Sequence, residues 1–292
     1  MNLQNDQEKR MVVSSIATSK IISAPPTMRI YGAIETLTQW GFRRLPIVDP
    51  GTRRLKGIIT ARDVIDFLGG GELFNLINVK HSGNFLAAIN ESVSKIMKTD
   101  VRTLHPDASI QEALEIILRD RIGGIPVVDE DGVLTGIVTE RDVLKVLCRS
   151  HAALRVEDVM TKSLLVQEPG CPLSMVTKVM TEHQFRRLPI VKNDVLFGII
   201  TATDIVRYIG SGKVFEKLIT GNVAEVMSIP VRDLISGNLF TTEPNVTITD
   251  AARAMMAKKV GALPVIDQSR LVGLVTEFDL VKAFDSGINN RR

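Results

Sequence analysis

Two hydrophobic rhythms alternate along the chain. Short β-branched runs with a period near two, such as IPVV from Ile125, flank turns rich in Asp and Gly. Between them apolar residues recur every three or four positions. In DASIQEALEIILRDRIGG, residues Ile110, Ala113, Leu114, Ile117 and Leu118 share one helical face. Ser109 or Asp107 suits the N-cap, Glu112 completes a capping box with Ser109, and Gly123-Gly124 ends the helix. The strands IPVVD and VLTGIV follow, joined by the turn Asp129-Glu130-Asp131-Gly132. A second helix starts near Thr139 and carries Val143, Leu144, Val146 and Leu147, while VRTL before Pro106 reads as one more strand. The predicted unit is β-α-β-β-α, an α/β (α+β) arrangement.

That unit recurs. Blocks reading LPIVDPGTRRLKGIITARDV from Leu45, IPVVDEDGVLTGIVTERDV from Ile125, LPIVKNDVLFGIITATDI from Leu188 and LPVIDQSRLVGLVTEFDL from Leu263 keep one order. The first and third share FRRLPIV and GIITA; the second and fourth share a small pair before the motif and a Thr-Glu at 139–140 and 276–277. LGGGELFNLI from Leu68 and IGSGKVFEKLI from Ile209 also match. The duplicated object was therefore a pair of repeats. Residues 19–69, 96–149, 160–210 and 234–285 are read as repeats 1 to 4. The stretches 70–95 and 211–233 are helical connectors, 150–159 is a linker, and 1–18 and 286–292 are tails. A unit of about 50 residues buries its sheet poorly alone, so the sheets of tandem neighbours are expected to cover each other.

Composition narrows the function. The 292 residues are 45% hydrophobic and 24% charged, with a net charge of only +3, so no nucleic-acid-coating role is forced. Cys148 and Cys171 have no partner spacing for a disulfide framework or structural zinc. The polar start MNLQNDQEKR is not a signal peptide, and no apolar run suits a membrane helix, which points to a cytoplasmic protein with no membrane insertion. His81, His105, His151 and His183 are scattered, and no catalytic motif is evident, so no enzyme, metal or cofactor is expected. Neither Gly-rich connector has Walker or Rossmann context, and Phe74 and Phe215 there read as packing anchors.

The fourfold h-P-V-h-D…G-h-h-T-x-x-D unit closely resembles the CBS domain, whose tandem pairs form Bateman modules, here two in a disc-like arrangement. Four copies without another domain are similar to the γ-subunit of AMP-activated protein kinase and to stand-alone prokaryotic four-CBS proteins. The resemblance implies a non-catalytic module that binds AMP, ADP or ATP between repeats. It would signal energy state to a regulated enzyme or transporter by shifting the pairs. S-adenosylmethionine is the alternative ligand, nucleic-acid binding lacks a supporting motif, and a homodimer is compatible.

The candidate chemistry lies at the second-helix starts: Thr60 and Asp63, Thr139 and Asp142, Thr201 and Asp204, Thr276 and Asp279. As a capping pattern, Thr and Asp satisfy free backbone N–H groups with no ligand needed. The resemblance adds that Asp accepts the ribose hydroxyls while Thr and the helix N-terminus meet phosphate, and both roles can coexist. It also gives a phosphate role to Arg43, Arg44, Arg186 and Arg187 before the prolines and to Arg62 and Arg141 inside the motif. Even repeats lack the Arg doublet, so odd and even sites are expected to differ. The base would lie against Ile47, Val101, Val127, Ile190, Leu239 and Val265, positions that serve equally as core.

Overall fold

The computed structural model describes residues 11–148, 154–235 and 239–289. Repeat 1 holds α1 (Ile30–Trp40), β1 (Arg44–Val48), β2 (Leu55–Thr60) and α2 (Ala61–Leu68), followed by the short α3 (Phe85–Ile89) of the first connector. Repeat 2 holds α4 (Ile110–Asp120), β3 (Gly124–Val128), β4 (Leu134–Thr139) and α5 (Glu140–Leu147), and α6 (Val156–Val159) leads onward. Repeat 3 holds α7 (Leu173–Glu182), β5 (Arg187–Lys192), β6 (Val195–Thr201) and α8 (Ala202–Gly210), then α9 (Val223–Met227). Repeat 4 holds α10 (Ile248–Lys258), β7 (Ala262–Asp267), β8 (Arg270–Thr276) and α11 (Glu277–Asn289).

Each strand pair is an antiparallel hairpin, as the Asp/Asn/Gly turns require. The expected first strand shortens to a single parallel bridge on the middle strand: Ala24 on Ile47, Leu104 on Val127, Gln167 on Ile190, Thr242 on Val265. Ser109 caps α4 by accepting from Glu112 N–H at 3.1 Å. The helix end departs from expectation. Arg121, not the glycine pair, takes the left-handed C-cap conformation (φ 52°), and Gly124 already opens β3. An exposed Arg tolerates this strain, and the small residues serve the strand start instead.

The chain forms two compact units, one gathering repeats 1 and 3 and the other repeats 2 and 4. Within each unit it is helices that pack. In the first, α1 lies along α8, and α2 packs on α7 and α8. Closeness of the α1–α8 crossing is set by Gly210, where an added Cβ would stand 2.8 Å from Ile34 O and collide with Thr38 Oγ1. Thr38 uses that proximity to donate to Val206 O at 3.2 Å. In the second unit α5 packs on α11.

Both units are completed by segments the sequence assigns elsewhere. Residues 11–18, expected as tail, are folded: Val13 is fully buried and Thr18 bridges Ile137 of repeat 2. Likewise Lys98 bridges Ile58 of repeat 1, and Thr161 bridges Leu274 of repeat 4. Each incoming backbone crosses the glycine of the G-h-h-T motif. A Cβ on Gly57 would stand 2.6 Å from Lys98 O, and one on Gly273 would stand 3.1 Å from Thr161 O. The motif glycine is thus explained by close approach rather than by a turn. Within each tandem pair, the segment leading into one repeat finishes the sheet of the other.

Candidate functional site

The site is built at the junction of the second strand and second helix of every repeat. The hairpin ends on Thr, whose extended backbone (φ −123° at Thr60) makes it the N-cap of the following helix. Asp63 turns back on the cap: its Oδ2 accepts from Thr60 N–H at 2.7 Å and from Thr60 Oγ1–H at 2.7 Å. The other copies repeat this geometry. Asp142 Oδ2 takes Thr139 N–H at 3.1 Å and Oγ1–H at 2.6 Å. Asp204 Oδ2 takes Thr201 at 2.9 and 2.6 Å, and Asp279 Oδ2 takes Thr276 at 2.9 and 2.7 Å. The capping reading therefore holds in all four repeats. In repeats 1, 3 and 4 the Thr hydroxyl also accepts from the Asp N–H.

Two details bear on the expected phosphate contact. Because each Thr hydroxyl gives its proton to Asp, it has no donor left for a phosphate. The first N–H of each second helix is also committed, to the carbonyl of Arg43, Gly123, Arg186 or Gly261. The Thr hydroxyl and the first helical N–H are thus both engaged within the fold.

Asp63, Asp142 and Asp204 are buried, yet the Oδ1 of each meets a cation. Lys98 Nζ lies 3.4 Å from Asp63 Oδ1, Lys145 Nζ lies 3.1 Å from Asp142 Oδ1, and Arg207 Nη1 lies 2.9 Å from Asp204 Oδ1. These cations were not among the sequence candidates. Lys145 and Arg207 were readable as i,i+3 partners of the aspartates; Lys98 was not, because only the exchanged segment brings it to repeat 1.

Strand register places one of each arginine doublet at the site. Arg44 pairs with Thr60 and Arg187 with Thr201, so each Arg stands directly across from the cap. In the even repeats the same positions are Gly124 across from Thr139 and Ala262 across from Thr276. Arg43 and Arg186 lie one residue earlier and contribute their carbonyls as above.

Arg62 and Arg141 take on a second task. Arg62 donates to Gln184 Oε1 at 2.9 Å and Gln184 O at 2.7 Å, tying repeat 1 to repeat 3. Arg141 donates to Glu277 Oε1 at 2.6 Å and Val260 O at 2.9 Å, tying repeat 2 to repeat 4. Glu140 and Glu277, one residue after the Thr of each even repeat, are both buried, whereas the odd repeats have Ala61 and Ala202 there. Beside the caps, the odd repeats are thus basic and the even ones contain buried acids.

The base-lining candidates divide. Ile47, Val127, Ile190 and Val265 are at most 1% exposed within the hydrophobic cores. Val101 is half-buried and Leu239 is 36% exposed. His81 pairs with Glu91, His105 lies beside Asp107, His183 stacks on Phe185, and His151 falls outside the described residues. Among the described residues no group of three or more His, Cys, Asp or Glu could hold a metal ion, and no helix is long and apolar enough to cross a membrane. Burial pushes the Cys171 thiol pKa up, away from nucleophile character.

Four hairpin-to-helix junctions with one Thr–Asp geometry define a class of protein built on the CBS repeat. The CBS domain family matches the chain at residues 13–70, 93–149, 156–211 and 231–286, and the chain belongs to that family. Among particular proteins it is similar to the uncharacterised protein MJ1225 of Methanocaldococcus jannaschii, at 38% identity over 275 residues, covering 94% of this chain and 98% of the relative. The crystal structure of MJ1225, described there as a proposed archaeal homologue of γ-AMPK, matches with a TM-score of 0.89 at 39% identity, over 94% of this chain and all of that one. An uncharacterised 33.4 kDa protein in the ribosomal RNA operon of Thermofilum pendens is 29% identical over 257 residues, covering 88% of this chain and 85% of the relative.

Proposed function

We propose that the chain is a non-catalytic regulatory module that binds adenine nucleotides, AMP, ADP or ATP, at its Thr-x-x-Asp junctions and reports their levels to a partner protein. The observation that carries this reading is the division of the carboxylate: Oδ2 is consumed by the cap, while in repeats 1, 2 and 3 Oδ1 is in reach of a solvent-exposed cation and hence of a ligand. A carboxylate oxygen so placed is acceptor-only, which suits the hydroxyls of a ribose. Similarity to MJ1225 along nearly its whole length, and the γ-AMPK relationship described for that structure, support the nucleotide assignment.

Phosphate selection falls to arginine. Arg44 and Arg187 stand across from the caps of the odd repeats, and a guanidinium there can take a phosphate in bidentate fashion. The even repeats, with Gly124 or Ala262 in that position and Glu140 or Glu277 beside the cap, favour ligands with less negative charge. S-adenosylmethionine is the second reading for those repeats. A bound ligand shifts a partner only by as much as its affinity differs between the two states, so the signal is a coupling free energy rather than a chemical step.

Calorimetric titration of AMP into the native chain and into single Asp→Asn variants tests the proposal. Asn keeps the cap by presenting its carbonyl to Thr and turns an NH2 outward where Oδ1 was. Stoichiometry should fall by one for each repeat that binds. Unchanged AMP binding in all four variants would refute the assignment.

A further inference from the structure

In repeats 1, 2 and 3 the carboxylate oxygen that the cap leaves open is held by a cation, and these cations come from different places. Lys145 and Arg207 sit one turn along the same helix as their aspartates. In repeat 1 the equivalent position is Asp66, an acid, and there the cation is supplied instead by Lys98, from the segment that crosses Gly57. One electrostatic contact has thus been produced by two unrelated routes. Capping alone does not account for it, since Thr satisfies Oδ2 in every case.

We propose that Lys98, Lys145 and Arg207 are tethered stand-ins for the ligand's hydroxyls, occupying Oδ1 until a ribose diol displaces them. This rests on the reading that these carboxylates receive ribose. A carboxylate has about four lone-pair positions, two on each oxygen. Thr fills both on Oδ2, so a diol donating two hydroxyls must use Oδ1, where the cation now sits. Leaving is easy for the cation. Lys98, Lys145 and Arg207 are 59%, 55% and 53% exposed, while the side chains they cover are 2%, 10% and 7% exposed. Each cation therefore returns to water when displaced, and the buried carboxylate is never left without a partner. The cost is affinity, because every ligand must first break an ion pair.

The test is a full-length Lys98→Met/Lys145→Met/Arg207→Met variant, titrated with adenosine and with AMP beside the native chain. Exposed ion pairs of this kind set the expected gain at about two- to fivefold in affinity, and more at low salt than at high salt. The proposal expects adenosine and AMP to gain by the same factor, because the stand-in competes with the sugar that both share. A weaker AMP with adenosine unchanged would make these cations phosphate ligands and overturn it. Equal affinities in variant and native chain would overturn it as well. Adding Asp63→Asn, Asp142→Asn and Asp204→Asn separates the two levels. A binding stoichiometry undiminished by those changes contradicts the ribose assignment at these three repeats, whereas a gain that vanishes together with the affected sites places the effect at Oδ1. Circular dichroism melting confirms that the Met variant is folded.

Discussion

Thr60, Thr139, Thr201 and Thr276 each donate twice, from backbone and hydroxyl, to the carboxylate three residues on, and so fix one oxygen of a buried acid. Replacing Thr201 by Val removes the hydroxyl while keeping the shape. The cap loss should cost about 1 kcal/mol, seen as a lower Tm, and Asp204, left with one Thr donor instead of two, should be less firmly oriented and bind ligand more weakly. Unaltered melting would contradict the role assigned to this cap. The Thr–Asp pairs were fully legible in the sequence, because a capping box is a contact over three residues. The Lys98–Asp63 contact was not, since it depends on which repeat the segment before residue 98 joins. Arg44 and Arg187 were legible as candidates, but only the hairpin register showed that they face the caps while Arg62 and Arg141 reach across to another repeat.

Helix crossings decide how repeats meet within a unit, and small residues decide how closely. Gly210→Ala would push a methyl against Thr38 and Ile34 O, so overpacking should destabilise the unit by about 1–3 kcal/mol. Gly41→Ala, where nothing lies within 4 Å and only the left-handed φ of 64° is strained, should cost about 1 kcal/mol. Comparable losses in the two variants would argue against a crossing held tight by Gly210. Helix α2 also contains a liability. Burial raises the Asp66 pKa, with nearby Asp63 and Glu72 adding to the rise, and its Oδ1 has no hydrogen-bond partner. A raised carboxylate pKa favours the fold while the group is protonated and disfavours it as pH rises through the folded value. Asp66→Asn should therefore raise Tm at neutral pH, and the gain should shrink toward pH 4. A gain equally large at acid pH would contradict the burial argument. The two strands and two helices of each repeat were readable from periodicity alone. Their grouping was not, because the pattern marks which faces are apolar without saying which neighbour covers them.

At the scale of the whole molecule, each unit is completed by a segment that leads into a repeat of the other, and each is tied by a half-buried arginine. Arg141 neutralises Glu277, which is nearly inaccessible, so Arg141→Met should destabilise by about 3 kcal/mol. An Arg141→Met/Glu277→Leu double variant should recover much of that loss; full stability in the single variant would show the pair to be dispensable. The exchange was hidden in the sequence because residues 11–18 were assigned to the tail and Lys98 to the start of repeat 2, whereas they complete the sheets of repeats 2 and 1. The central claim is that four caps double as nucleotide sites, and a thermal-shift titration tests it most directly. AMP, ADP, ATP and S-adenosylmethionine would be added to the native chain and to a variant with Asp63, Asp142, Asp204 and Asp279 all changed to Asn. Ligand that binds only the folded state raises Tm as its concentration passes Kd. The account predicts a nucleotide-dependent rise in the native chain that is absent from the variant. No rise with any adenosine ligand at millimolar concentration, or the same rise in both proteins, would contradict it and leave the four aspartates as helix caps alone.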